Sequence, residues 1–292
     1  MKLIVRPKKE NIDKFIGKGI NSFLLPLDDY SVGYIDTFTM EDIKAFKKEN
    51  CSFKVFVLIN KSILNKDIKD LEDTMKILTE NKLDGIFFSD LSLLQLKKEL
   101  SLDIDLVWND IHMVTNTRTC NYYYDQGVSY AVASSEITLE EAIAIADNST
   151  MKVILPLIYH PKVAFSKRKL ITNYTDYYQK ENKKELLIHE KISDQNYMLT
   201  ENKHGTSFML DKVVNGALYL DQINKSKIEY GLIHDELNID TMIEVLNHIQ
   251  EYFATYENSD FDLEKWKKKQ MKLLGEYTSF FEQKTIYKVK RK

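Results

Sequence analysis

The chain has 292 residues, of which 43% are hydrophobic and 29% charged, and its formal net charge is −3. Such values are typical of a globular protein that buries a large core, and they exclude an overall basic charge that would attract nucleic acid. Any RNA contact must therefore come from a local basic patch or from a partner. No run approaches the roughly 20 apolar residues of a membrane-spanning helix, and the N-terminal apolar run is too short for a secretory signal. We therefore expect a cytoplasmic protein.

The cysteine and histidine content argues against a metal or cofactor held by this chain alone. The sequence has two cysteines, Cys51 and Cys120, whereas an iron–sulfur cluster needs about four protein ligands. The six histidines show neither an HExxH motif nor a short paired spacing, which disfavours a zinc site. The sequence also lacks the glycine motifs of nucleotide sites and the GxSxG motif of serine hydrolases. We expect no metal and no cofactor in this chain.

Seven apolar runs recur in chain order, and a helical pattern follows each of the first six. The runs are Leu3–Val5, Ser22–Leu27, Lys54–Asn60, Gly85–Asp90, Ile104–Trp108, Tyr130–Ser134 and Lys152–Ile158. The helical patterns are Glu10–Lys18, Thr39–Asn50, Lys66–Asn81, Leu93–Leu100, Thr115–Gln126 and Thr138–Asp147. The second of these opens with Thr39 and Asp42 at the spacing of a capping box. The runs are continuous rather than alternating, as in parallel strands buried on both faces, and their regular recurrence predicts a barrel.

The regularity breaks after the seventh run. Two short β-like segments, Glu185–His189 and Thr206–Leu210, indicate an insertion, and Glu229–Ile233 then supplies an eighth strand. Helices follow at Ile239–Tyr256 and Leu263–Leu274. We therefore predict an α/β fold, a TIM-like (β/α)8 barrel with a small β-containing insertion before the last strand. Its parts are the first seven βα units (1–178), the inserted subdomain (179–227), and the eighth strand with closing helices and a basic tail (228–292).

Functional groups of such barrels lie at the carboxyl ends of the strands. These positions hold Pro26, Asn60, Asp90, Asn109, Asp110, Ser134–Glu136, Tyr159–His160 and His234–Asp235. Glu136 is a candidate general base, although a carboxylate in the first turn of a helix is also explained by the helix dipole. Asn60 is a candidate ligand-binding residue, but a polar residue at a strand end equally caps the next helix.

The segment Pro161–Tyr178 combines Lys167, Arg168 and Lys169 with Asn173 and Tyr174. Only four arginines occur in the sequence, so Arg168 is a candidate for binding an anion through its planar guanidinium. One interpretation is that this segment contacts RNA phosphate. An ion pair between Arg168 and an internal carboxylate such as Glu136 is the alternative.

A tyrosine cluster at 122–124 offers a second set of aromatic side chains. The ring of Tyr122 is a candidate for stacking on a base. Such a cluster also commonly packs a helix against a barrel, and both interpretations stay open at this point.

Four segments resemble the peptidase U32, or collagenase-like, family. They are SSEITLEEA at Ser134–Ala142, SKRKLITNYTDYY at Ser166–Tyr178, HGTSF at His204–Phe208 and KTIYKVK at Lys284–Lys290. The resemblance implies a TIM-like fold. It is closest to the short, cysteine-poor members that are encoded beside a longer cluster-bearing partner and implicated in 5-hydroxylation of the tRNA wobble uridine. Asn116 and Thr119–Tyr122 also fit that subgroup.

The sequence departs from the family pattern at several polar positions. Lys162 stands near the place of the first cysteine of the family's iron–sulfur site, and Ile158–Tyr159 replaces a His-Gly pair. Asn109–Asp110–Ile111 replaces a Ser-Thr-acid/amide run, and Ser135 replaces an arginine before Glu136. The resemblance therefore implies a degenerate, cluster-free subunit, with any iron–sulfur cluster in a larger cysteine-rich U32 paralogue. Expected partners are that paralogue and tRNA, with self-association open. A U32-type peptidase and a small-molecule-binding barrel are the alternatives.

Overall fold

The computed structural model describes residues 1–110, 112–192 and 194–283. Eight parallel strands form a closed barrel, as predicted. They are β1 (Lys2–Arg6), β2 (Ser22–Pro26), β3 (Lys54–Ile59), β4 (Gly85–Phe88), β5 (Asp105–Trp108), β6 (Tyr130–Val132), β7 (Lys152–Tyr159) and, later in the chain, β13 (Ile228–His234). Strand β13 pairs with both β7 and β1, and so closes the barrel.

The helices around the barrel are α1 (Met40–Glu49), α2 (Ile68–Glu80), α3 (Ser92–Glu99), α4 (Thr117–Asp125), α5 (Leu139–Asn148), α7 (Leu220–Ile223), α8 (Ile239–Thr255) and α9 (Leu263–Leu274). Helix α6 (Leu170–Tyr177) belongs to the insertion. The capping box predicted for α1 is present, with Thr39 and Asp42 each bonding the other's backbone amide. The first predicted helix is instead a 3-10 helix, Lys9–Phe15, because Gly17 and Gly19 adopt positive φ and end it early.

Two hydrophobic clusters explain why the strands read as continuous apolar runs. One cluster fills the barrel interior with inward-facing side chains such as Ile4, Phe56, Phe87 and Tyr230. The other cluster lies between the outer face of the barrel and the helices. Because both faces of each strand are buried, apolar residues occupy consecutive positions.

The insertion is a four-stranded antiparallel sheet that also carries α6. Its strands are β8 (Lys162–Ser166), β9 (Glu185–Glu190), β10 (Gln195–Asn202) and β11 (Gly205–Leu210), in the order β8-β11-β10-β9. The sheet thus begins at Lys162, earlier than the boundary between 178 and 179 that we predicted. The three central residues of β8 are exposed, so this short strand has no continuous buried run that would distinguish it from a loop in the sequence. The chain rejoins the barrel at β12 (Val214–Asn215), which pairs with the end of β7.

The turn between β10 and β11 fixes the insertion to the loop that follows β2. The Asn202 side-chain amide donates to the carbonyls of Ser31, at 2.9 Å, and Tyr34, at 3.0 Å. The Lys203 ammonium contacts Asp28 at 2.8 Å and Asp29 at 2.6 Å. These contacts hold the sheet against the carboxyl ends of the barrel strands.

Candidate functional site

A cavity of about 310 Å³ lies between the strand ends and the inserted sheet. The barrel contributes Asn60, Asn109, Asp110, Tyr159 and His234 to its wall. The insertion contributes Lys162, Val163, Ala164, Phe165 and Met209. Seven of the strand-end positions named above line this cavity, whereas Pro26, Asp90, Ser134, Glu136 and Asp235 do not, and the inserted sheet covers it. A partly apolar cavity with a few polar groups is the usual form of a small-molecule site.

A buried network of charged side chains lies at one edge of the cavity. The Arg6 guanidinium, with 4% of the residue exposed, contacts the Glu236 carboxylate at 2.5 Å and lies over the Tyr34 ring at 4.7 Å. His234 Nδ1 lies 3.5 Å from the same Glu236 oxygen. Burial alone would raise the pKa of Glu236, but Arg6 and His234 outweigh burial and hold it well below its usual range. Burial lowers the pKa of His234. The edge is thus a carboxylate–guanidinium pair beside a neutral imidazole.

Lys162 projects into the cavity from the start of β8. Burial lowers the pKa of its ammonium to about 8. The ammonium lies 5.7 Å from the centre of the Phe165 ring. In the parts of the chain that the structure describes, no carboxylate pairs with it.

Several predicted site residues have clear structural roles. The Asn60 side chain bonds both backbone groups of Val32, at 2.7 and 3.2 Å, and so holds the loop after β2. Asn116 caps α4 by accepting from the Thr119 amide at 2.9 Å. Asp90 accepts from the backbone amides of Ile63 and Ser92. These side chains shape the loops around the cavity, and Asn60 also lines it.

Glu136 is half-exposed at the cavity mouth and lies 3.2 Å from Nδ1 of His112, which is also half-exposed. His112 lines the cavity. The ion pair considered between Arg168 and Glu136 is not found among the described residues, since Glu136 faces His112 and Arg168 is exposed.

The predicted basic segment forms an exposed surface on the insertion, together with α6. We call it the aromatic–basic surface and define it as Lys167, Arg168, Lys169, Tyr174, Tyr177, Tyr178 and Lys180, all of which are exposed. Tyr177, with 81% of its surface exposed, packs its ring edge-to-face on Tyr178 at 4.9 Å. Lys180 lies over the rings of Tyr174 and Tyr178, at 5.0 and 5.7 Å. The neighbouring Asn173 is also exposed.

The HGTSF segment supports this surface from below. Thr206 and Ser207 are fully buried, and Thr206 Oγ1 accepts from the Leu170 amide at 3.0 Å. Gly205 has φ +138, and a side chain there would lie 2.2 Å from the carbonyl oxygen of Ser166. Only glycine therefore allows this close approach of β11 to the basic segment.

Glu201 completes the support at the N-terminus of α6. Its carboxylate accepts from the amides of Ile171, at 2.7 Å, and Thr172, at 3.2 Å, and from the hydroxyls of Thr172 and Thr206. Burial would raise the pKa of Glu201, but these hydrogen bonds outweigh it and lower the pKa. A carboxylate at a helix N-terminus also interacts favourably with the helix dipole.

In the tyrosine cluster on α4, one ring packs against the barrel and two rings are exposed, so each of the two interpretations holds for part of the cluster. Tyr123 packs on Trp108 with ring centres 4.1 Å apart, and so joins the helix to the barrel. Tyr122, 60% exposed, and Tyr124 face outward. Tyr122 therefore remains available for a ligand.

Sequence reasoning missed three residues of the site: Arg6, Glu236 and Lys162. Arg6 carried a signal, since it is one of four arginines and directly follows the first predicted strand, Leu3–Val5. Glu236 lies two residues beyond His234, the last residue of the eighth strand. Lys162 was noted only as a departure from the family pattern.

The described residues were compared with the requirements of a metal site and of a membrane-spanning helix. Among residues 1–110, 112–192 and 194–283, no group of three or more His, Cys, Asp or Glu side chains is arranged to hold a metal ion. In the same residues, no helix is long and apolar enough to span a membrane. The segment KTIYKVK and the basic tail lie outside the described residues.

Comparison with known proteins decides the family. The model of peptidase family U32 matches residues 8–272. This chain belongs to peptidase family U32. The resemblance seen in the sequence is thereby confirmed. Three of the four segments on which it rested belong to the regions described above. Ser134–Ala142 contains Glu136, Ser166–Tyr178 contains most of the aromatic–basic surface, and His204–Phe208 supports that surface.

One U32 relative is the tRNA hydroxylation protein P2 of Bacillus subtilis (strain 168). It is 27% identical over 269 residues, which cover 88% of this chain and 84% of the relative. Solved structures are more distant. A mutant tryptophan synthase α-subunit from Pyrococcus furiosus has 11% identity and a TM-score of 0.44, over 94% of this chain and 98% of that chain. A protein from Aquifex aeolicus VF5 has 8% identity and a TM-score of 0.44, over 94% and 93%.

Proposed function

We propose that this U32 protein is a cluster-free subunit of a system that hydroxylates the wobble uridine of tRNA to 5-hydroxyuridine. In this proposal it holds the tRNA for a larger, cysteine-rich U32 paralogue, which supplies the redox chemistry in the cytoplasm. The relation to tRNA hydroxylation protein P2 supports the choice of pathway. The observation that carries the RNA-binding role is the aromatic–basic surface.

The chemistry of this surface suits single-stranded RNA. Arg168 offers a planar fork of donors that matches phosphate oxygens, and Lys167 and Lys169 add positive charge beside it. The exposed rings of Tyr177 and Tyr178 offer faces on which unpaired bases stack. An anticodon loop presents both a backbone and unpaired bases. Because the net charge is −3, RNA has to be attracted by a local basic surface, and this surface is one that also offers aromatic rings.

The cysteines of this chain do not provide a cluster site. Cys51 is exposed and Cys120 is buried in α4, where burial raises the pKa of its thiol to about 11. A thiol with a raised pKa is a poor metal ligand, because metals bind the thiolate. We therefore place the cluster in the partner.

A hydrolase of the kind for which the family is named is the second candidate function. The contact between His112 and Glu136 at the cavity mouth favours it, since a carboxylate beside an imidazole forms the base of many hydrolytic sites. Hydrolysis of an unstructured peptide by the wild-type protein, lost in Glu136→Gln with unchanged melting, would support this candidate. Absence of hydrolysis in the wild type rules it out.

The RNA-binding role predicts the effect of changes at the aromatic–basic surface. Arg168→Ala is expected to leave melting unchanged, weaken binding to tRNA, and reduce the slope of log affinity against log salt by about one. Tyr177→Ala is expected to cost about 1–3 kcal/mol of binding with no change in the salt slope. Fluorescence anisotropy with a labelled anticodon stem-loop measures both quantities.

Lys48→Ala is the matched control, because Lys48 is an exposed lysine of α1, outside the insertion. It should leave affinity and salt slope close to those of the wild type. Wild-type affinity and slope in both Arg168→Ala and Tyr177→Ala would contradict RNA binding at this surface.

A further inference from the structure

The RNA-binding role does not use Lys162, which lies inside the cavity rather than on the aromatic–basic surface. Its ammonium lies 5.7 Å from the centre of the Phe165 ring and 3.5 Å from the position that a side chain on Gly33 would take. No hydrogen-bond acceptor and no carboxylate meets the ammonium within the described ranges of the chain. A lysine without a counter-charge in a covered cavity is costly to keep protonated.

The charged groups that share the cavity do not compensate this lysine. Two carboxylates line the cavity, Asp110 and Glu236. Glu236 is already paired with Arg6 at 2.5 Å and faces His234. Asp110 accepts from the backbone amide of His112. Burial therefore dominates and lowers the pKa of Lys162 to about 8, so that a sizeable fraction of the amine is neutral near pH 7.5.

We propose that the Lys162 amine forms an imine with a small aldehyde or ketone bound in the cavity. The nitrogen lone pair attacks the carbonyl carbon to form a carbinolamine. Loss of water then gives the imine, with the carbonyl oxygen and both amine hydrogens leaving as that water. A neutral, desolvated lysine is the side chain that performs this addition in proteins.

The cavity has the other features that such a step needs. Its volume of about 310 Å³ accepts a small molecule, and Phe165 and Tyr34 provide an apolar wall. His160 lines the same cavity, and its Nδ1 lies 2.9 Å from the carbonyl oxygen of Leu210. Because a carbonyl oxygen only accepts, Nδ1 carries a hydrogen in this contact. In the neutral ring Nε2 carries a lone pair, which takes the proton from the carbinolamine nitrogen and passes it to the hydroxyl group that leaves as water.

Reductive labelling of the full-length protein tests this proposal without RNA or a partner. The wild type is treated briefly with propionaldehyde and sodium cyanoborohydride near pH 7, and propylation of each lysine is measured by peptide mass spectrometry. Lys162 is expected to react at least about tenfold faster than exposed Lys167, because more of its amine is neutral. The fast labelling of Lys162 should weaken as the pH falls further below about 8, because the neutral fraction of its amine falls.

Two variants identify the reacting residue. Lys162→Arg keeps a positive charge but forms no imine, so its intact mass should show one fast adduct fewer than the wild type, with the adduct on the N-terminal amine unchanged. Lys167→Arg is the matched control and should retain the fast adduct on Lys162. Labelling of Lys162 in the wild type at or below the rate of Lys167 would overturn the proposal, whatever the folding of the variants.

Discussion

Arg6→Met is expected to lower the free energy of unfolding by about 3–5 kcal/mol, the largest effect of any single substitution considered for this protein. The Arg6 side chain is 5% exposed, and its partner Glu236 is 17% exposed. Removing the guanidinium leaves a carboxylate in a poorly solvated site, with the imidazoles of His234 and His160 nearby. That carboxylate must then either remain charged without its cation or take up a proton. Urea unfolding followed by circular dichroism measures the loss.

The matched control is Lys2→Met, at the other end of β1. Lys2 pairs with Glu229 at 3.1 Å, but its side chain is 57% exposed, and pairs of this kind contribute about 0–1 kcal/mol. The double variant Arg6→Met with Glu236→Leu is expected to recover most of the lost stability, since it leaves no unpaired charge. If Arg6→Met cost no more than Lys2→Met, the buried pair would not stabilise the site as we infer.

The stabilisation of the folded protein by the Arg6–Glu236 pair should decrease at low pH. The pKa of Glu236 is lowered in the folded protein from an ordinary value of 4.5. The stabilisation is therefore fully present above about pH 4.5 and is lost as the pH falls further. In Arg6→Met the unpaired carboxyl has a raised pKa instead. The stability difference between wild type and variant should thus narrow as the pH falls.

Glu201→Ala is expected to have the second largest effect, a loss of about 3 kcal/mol in stability together with weakened tRNA binding. The carboxylate accepts from two backbone amides of α6 and from two hydroxyls. Alanine removes this acceptor from both amides and from the Thr172 hydroxyl, whereas the Thr206 hydroxyl can still donate to the carbonyl oxygen of Arg168 at 2.9 Å. Because Glu201 holds the start of α6, its loss should disorder the aromatic–basic surface without removing any of its residues. Denaturant unfolding and anisotropy with the anticodon stem-loop measure the two effects.

Glu185→Ala is the control for Glu201→Ala. Glu185 is an exposed glutamate in the same sheet, so its removal should change neither stability nor affinity by much. Normal tRNA affinity in a destabilised Glu201→Ala would show that the surface does not depend on this cap. Wild-type stability would show that the donors find other acceptors.

The barrel could be predicted from the sequence because burial on both faces of each strand leaves a pattern in the strand itself. Strands such as Lys54–Ile59 and Lys152–Tyr159 carry this pattern from their second residue onward. The inserted sheet leaves a weaker pattern. In Lys162–Ser166 the three central residues are exposed, so local patterning gives no buried face to detect.

The site was predictable only in part, for a related reason. Polar residues at strand ends, such as His234 and Asn109, are recognisable once a barrel is assumed, and they do line the cavity. The pairing of Arg6 with Glu236 joins residues 230 positions apart and exists only because β13 closes the barrel against β1. Burial of Lys162 likewise depends on the inserted sheet folding over the strand ends. In both cases the environment of the side chain is created by residues that are distant from it in the sequence.

The wobble 5-hydroxyuridine content of tRNA tests the central claim most directly. Cells that lack this modification would express the larger cysteine-rich U32 paralogue alone, this chain alone, or both, and the nucleosides of purified tRNA would be quantified by mass spectrometry. We predict that 5-hydroxyuridine appears when both chains are present, and that it falls when this chain carries Arg168→Ala with Tyr177→Ala. The same 5-hydroxyuridine content with the paralogue alone as with both chains would contradict the account.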